Sequence, residues 1–223
     1  MSIKLKNMKK IVLTLAFVLF FVVCRAGYSM DKSVVNQEVQ VNIDLVNVIA
    51  DKVLVTVIPS KVTTDETTFS MPKIIPGNYT ADNLGRFIDD FKAFDSKGNA
   101  LEVTKTDDNN WKIKNAKTLA KITYLVNDTF DIEKGTGYGK GDVFAPCGTN
   151  ILANINFLIN THGFVGYFKD KLDVPYKVTI VHPESLWGAT SMNDEDSSNT
   201  IDIFKTPRYA VLVENPIMYS KQN

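Results

Sequence analysis

Met71-Pro72-Lys73-Ile74-Ile75-Pro76-Gly77-Asn78-Tyr79 is followed by Arg86-Phe87-Ile88-Asp89-Asp90-Phe91-Lys92-Ala93-Phe94-Asp95, within a unit spanning residues 66–98. Pro72 and Pro76 fix φ and remove two backbone donors, while Gly77 can take positive φ at no steric cost. The unit reads as a strand, a proline-framed corner and a second strand. Beyond Gly77 the chain is free to reverse and pair again, with Phe87, Phe91 and Phe94 as anchors.

Outward from this unit the hydrophobic period is two. Val39, Val41, Ile43 and Leu45 alternate with Gln40, Asn42 and Asp44, and Val53, Val55 and Val57 repeat the pattern. Two strands that each bury one face, close in sequence, predict a hairpin. Short apolar runs at residues 101–103, 111–113 and 122–126 are separated by turn residues at 95–99 and 107–110. Residues 151–160 fit two periods. Ile151, Ile155 and Leu158 suit a helix face, whereas Ile155, Phe157 and Ile159 suit a strand, which is the favoured reading. Tyr176, Val178, Ile180 and His182 alternate again, and residues 201–204 and 209–213 read as two closing strands. Residues 216–223 read as a linker-like tail. The fold class expected is all-β, an antiparallel β-sandwich of curved sheets in a single domain.

The amino terminus stands apart. Lys4, Lys6, Lys9 and Lys10 precede the uncharged residues 11–23, and small residues follow at Ala26 and Gly27. That order describes a signal peptide, residues 1–26, and the apolar run is shorter than the about 20 residues a membrane span needs. The expectation is a secreted or periplasmic domain, residues 27–223, without a membrane span. A lipid anchor on Cys24 is disfavoured, because Val23 is a poor residue to precede it. The whole chain is neutral, with 25 basic and 25 acidic residues. Residues 1–26 hold five of the bases and no acid, so the remainder carries a net charge of −5. A mildly acidic domain without a basic stripe is not expected to bind nucleic acid. Cys147 would be its only cysteine, so it must fold on its apolar core.

Candidate chemistry is sparse. The chain has two histidines, His162 and His182, and lacks the H-E-x-x-H helix of many zinc peptidases. Gly135-Thr136-Gly137-Tyr138-Gly139-Lys140-Gly141 imitates a phosphate loop, but Lys134 stands where its first glycine belongs and Gly141 where Ser or Thr belongs. A surface loop is the better reading. The acidic residues 193–199 lack the turn glycine and bidentate acid of a calcium loop. Cys147 has no neighbour in sequence that would activate it, so a packed thiol is expected. No catalytic, cofactor-binding or metal residue is assigned.

Several segments together resemble the amino-terminal domain of the glycyl aminopeptidase family (family sixty-one of the metallopeptidases). They are Met71-Pro72, Pro76-Gly77-Asn78-Tyr79, residues 86–98, residues 143–150, residues 160–168, residues 175–183 and Glu214-Asn215-Pro216-Ile217. The likeness covers residues 36–217. Ile75 departs from it, standing where the family has a large aromatic. The resemblance implies a non-catalytic β-domain ahead of a zinc catalytic domain. The chain would end before that domain, which would supply the zinc and the catalytic residues. The expected partner is thus a catalytic peptidase domain in cis or in trans. Tyr79, Arg86 and Tyr138 are the candidate interdomain or cleft-facing positions. The competing expectation is a stand-alone secreted module that binds a peptide, a glycan or a partner protein.

Overall fold

The computed structural model describes residues 37–77, 81–130, 143, 147–196 and 198–221. Strands dominate. β1 (Val39–Ile49) and β2 (Lys52–Ile58) form the expected hairpin, with Val41 opposite Val57 and Ile43 opposite Val55. Val39, Val41, Ile43, Leu45, Val53, Val55 and Val57 are all buried, as their period of two requires. β7 (Leu119–Asn127) pairs with β2, and β4 (Ile88–Asp95) pairs with β7 at the sheet edge. On the other side of β1 lies β11 (Tyr176–Val181), and beyond it β13 (Ile201–Thr206). The β1–β11 junction is parallel, with Val41 opposite Val178, so this six-stranded sheet is mixed.

Two four-stranded sheets complete the domain. One is ordered β10-β3-β6-β5, from Tyr167–Phe168, Glu66–Ser70, Asn110–Lys114 and Val103–Lys105. The other is ordered β12-β14-β9-β8, from Trp187–Ala189, Ile217–Ser220, Asn156–Ile159 and Asn150–Leu152. One apolar cluster joins all three sheets: Ile43, Val55 and Val178 meet Phe69, Trp111 and Phe168, and also Phe157, Ile217 and Tyr219. Phe91 stacks on Trp111 at a centroid distance of 4.8 Å and lies 5.6 Å from Phe69.

The proline-framed corner does not make a hairpin. β3 and β4 lie in different sheets, because the chain between them turns through a 3-10 segment, Leu84–Phe87, that buries Leu84, Gly85 and Phe87. Its closure is held by the β5–β6 turn. The Asn109 side chain accepts from the Gly85 N–H at 3.1 Å and donates to Asn83 Oδ1 at 3.0 Å, while the Asn109 carbonyl accepts from Met71 N–H.

Three further segments differ from the sequence reading. Residues 151–160 hold two short strands, β8 and β9, around a turn in which Asn154 has φ 61°, and a one-turn helix α1 (Thr161–Phe164) follows. Tyr209–Val213 is helix α2, because Tyr209 and Leu212, three apart, are the residues it buries. The linker-like reading of residues 216–223 gives way for Ile217–Ser220. These form the central strand β14, with Ile217 and Tyr219 fully buried.

Gly85 permits the corner to touch that turn. A Cβ there would overlap the Asp108 carbonyl oxygen and come within 2.6 Å of Asn109 Cα. Gly85→Ala is therefore expected to lower the melting midpoint more than Asn109→Ala. The latter should cost about 2 kcal/mol, or about 4–8 °C in a domain of this size. Equal midpoints for both variants and the wild type in thermal melts would refute this account of the corner.

Candidate interaction surfaces and the cleft at β12

Of the three candidate residues from sequence, Arg86 lies among the described residues, while Tyr79 and Tyr138 lie outside them, as does the glycine-rich loop. Arg86 is exposed. Its Nε donates to the Asp82 carbonyl at 3.0 Å, and its guanidinium lies 4.6 Å from the Phe87 ring centroid. These contacts hold its stem against the 3-10 turn and leave the charged end at the surface.

His162 occupies the start of α1 and is buried rather than placed at the surface. Its Nε2 faces the Cys147 carbonyl at 3.1 Å and its Nδ1 faces the Val213 carbonyl at 3.4 Å. The ring thus links the residue 147 segment to the end of α2, and it addresses the Cys147 carbonyl rather than the thiol. Burial lowers the His162 pKa, against the pull of the two carbonyls and of Asp82. Burial also raises the Cys147 thiol, with Asp82 adding to the effect. A nucleophilic thiolate needs the opposite shift. Asn127, the head of a glycosylation-type triplet, uses its amide to donate to the Phe87 carbonyl at 2.8 Å and to Asp89 at 3.0 Å.

A polar cluster beside β12 has no local signature in the sequence, because its residues come from three separated segments. His182 follows β11, Asp202 lies on β13 and Tyr219 on β14. The Tyr219 hydroxyl donates to Asp202 Oδ2, and His182 Nε2 lies 3.6 Å from Asp202 Oδ1. His182 Nδ1 lies 3.1 Å from the Pro183 carbonyl, and its ring packs 4.9 Å from that of Tyr219. Burial raises the Asp202 carboxyl, and nearby Asp194 adds to this, while Tyr219 and His182 oppose it. Burial and then Asp202 raise the Tyr219 hydroxyl. His182 and Asp202 line a cleft of about 480 Å³ together with Glu184, Trp187, Thr190 and Asp194, while Tyr219 is buried and bonded to Asp202. Gly188 is needed here: a Cβ would stand 2.7 Å from Asp202 Oδ2 and 2.9 Å from the Tyr219 ring. Among the described residues no group of three or more His, Cys, Asp or Glu is placed to hold a metal ion.

Beside the cleft, the β12-β14-β9-β8 sheet turns an uncovered face outward. Met218 is 45% exposed between Ala189 and Leu158, Leu152 is 47% exposed on β8, and Ile155 is 51% exposed in the β8–β9 turn. Trp187, 60% exposed, stands where this face meets the cleft. Contiguous apolar residues on one sheet face mark an interaction surface rather than scattered exposure.

A family model described as the Peptidase M61 N-terminal domain matches residues 40–221. Among solved structures, the chain is similar to an aminopeptidase N family protein from Idiomarina loihiensis. The TM-score is 0.68 at 18% identity, over 82% of this chain and 29% of that one. It is less similar to native yeast LTA4 hydrolase, with a TM-score of 0.42 and 11% identity over 82% of this chain and 28% of that one. An M1 zinc metallopeptidase from Deinococcus radiodurans gives 0.38 and 11%, over 82% and 41%. The chain therefore spans less than half the length of these structures, and the first of them shares its fold. No curated protein matches the sequence.

The depressed His162 pKa sets a pH dependence. As pH falls through the unfolded value near 6.5, the unfolded chain takes up a proton that the folded ring refuses, so stability is lost from about pH 7 downward. His162→Gln is expected to flatten the fall in urea midpoint between pH 7.5 and pH 5. An unchanged slope would show that His162 is not its source.

Proposed function

The chain belongs to the Peptidase M61 N-terminal domain family, and we propose that it serves as the non-catalytic front domain of a secreted or periplasmic zinc aminopeptidase. On this reading it packs against a catalytic peptidase domain, in cis or in trans, and that domain holds the zinc and performs the hydrolysis. The peptides trimmed would carry small amino-terminal residues such as glycine, the preference that the family resemblance implies. Residues 1–26 would direct export and be removed. Among the described residues no helix is long and apolar enough to cross a membrane.

The observation that carries this reading is the apolar face formed by Leu152, Ile155 and Met218. A domain that functioned with this face in water would leave apolar side chains on β8, on β14 and in the β8–β9 turn without a partner. A second domain seated on it would remove them from water, at about 25 cal/mol for each Å² covered. Arg86, with its exposed guanidinium beside the 3-10 turn, is a candidate for a further polar contact with that domain or its cleft.

Two measurements test the reading. The intact mass of the native protein from its own cells distinguishes a chain continuous with a catalytic domain from one that meets it in trans. A photo-crosslinker at Met218 is expected to capture a zinc-peptidase domain, whereas one at the exposed Asn42 on the six-stranded sheet should not. Met218→Asp should weaken that association by about tenfold or more, as a charge desolvated at an interface centre does. Equal crosslinking at both positions, or capture of no peptidase domain at Met218, would overturn the docking assignment.

A further inference from the structure

The cleft beside this face has features that docking of a catalytic domain does not use. Trp187, Gly188 and Ala189 are consecutive in β12, and all three line it. Successive side chains in a strand point to opposite faces, so three in a row can border one cavity only if the strand turns its edge toward it. β12 is the terminal strand of its sheet, paired with β14 on one side. Among the described residues no strand pairs with its other edge, and β12 borders the cleft, so that edge is the template that an added strand uses.

The charge of the cleft selects what such a strand would carry. Glu184, Asp194 and Asp202 line it, and among the described residues no lysine or arginine does. The nearest basic residue along β13, Lys205, is held by Glu195 at 2.6 Å. Asp202 is fixed in place by the Tyr219 hydroxyl and flanked by His182, and Gly188 lets the β12 backbone pass close to its carboxylate. Trp187 presents an exposed ring at the rim, the arrangement that attracts a cation over its face.

We propose that this cleft receives an extended peptide segment, which adds along the open edge of β12 and places a lysine or arginine side chain between Trp187 and Asp202. The backbone contacts set the direction of the peptide, and the carboxylates set its preference for a basic residue. The site adjoins the proposed docking face at Trp187 and Ala189, but its selection of a basic side chain rests on Glu184 and Asp202, which lie outside that face, so the two readings are tested by different residues.

Trp111 is buried and Trp187 is exposed, so a ligand in the cleft changes the emission of the latter. The purified protein is titrated with a capped pentapeptide, a central arginine flanked by valine and threonine. Saturable binding is expected, about tenfold weaker when glutamine replaces the arginine. N-methylation of the peptide backbone on its strand-pairing side should abolish binding. Glu184→Gln and Asp202→Asn should each weaken it several-fold, as should Trp187→Ala at an exposed position where folding is not at stake. Asn42→Asp, on the exposed face of the six-stranded sheet, should leave it unchanged. Equal affinity for the arginine and glutamine peptides would overturn the proposal. So would undiminished binding of the N-methylated peptide, or no saturation up to millimolar concentration.

Discussion

Strand β1 accepts backbone partners on both sides, antiparallel to β2 and parallel to β11. Val39, Val41, Ile43 and Leu45 sit in the middle of the sheet with their side chains excluded from water. A parallel partner cannot be reached by a tight turn, so the chain between β1 and β11 must leave and return. Residues 59–175 do more than return. They add β4 and β7 to the far edge of the sheet, and they supply the whole of the β10-β3-β6-β5 sheet and strands β8 and β9 of the third sheet. The parallel junction therefore decides where β11, β13 and β14 come to lie. It also brings His182, Asp202 and Tyr219 to one end of the molecule.

Close packing between these layers rests on positions where a side chain is forbidden. Gly85 lets the 3-10 turn touch the backbone of the β5–β6 turn, Gly166 lies against the Phe69 ring, and Gly188 lies against Asp202 and Tyr219. The first two seat the second sheet on the core, and the third admits a buried carboxylate beside a strand edge. The polar floor of the cleft is not assembled by any local motif. It exists because sheet edges from two different layers, β12 and β13, meet there.

Much of the fold was legible because burial on one face writes a period of two into the sequence. β1, β2, β7, β11 and β13 all follow that pattern in the chain, and the buried residues of the first four alternate as it requires. The pattern misled where elements are short. Tyr209–Val213 is a short apolar run that reads as a strand, yet one helical turn buries Tyr209 and Leu212 together. Asn154 reverses the chain inside what reads as one continuous strand. Ile217 and Tyr219 lie too near the end of the chain for their alternation to stand out. Of the cleft, the sequence offered only His182, as the last member of the 176–182 alternation; Arg86, the named candidate among the described residues, lies at the 3-10 turn and not in the cleft.

The sequence by itself determined that the chain is all-β, and the ordered motifs determined its family. Both follow from local patterns: alternation reports one buried face, and motif order survives without knowledge of contacts. The tertiary structure alone decided the parallel β1–β11 junction, the separation of β3 from β4 into different sheets, and the joining of His182, Asp202 and Tyr219 in one polar cluster beside a cleft. A strand's sequence records that one of its faces is buried. It does not record which strand lies beside it, because backbone pairing uses groups that every residue but proline carries.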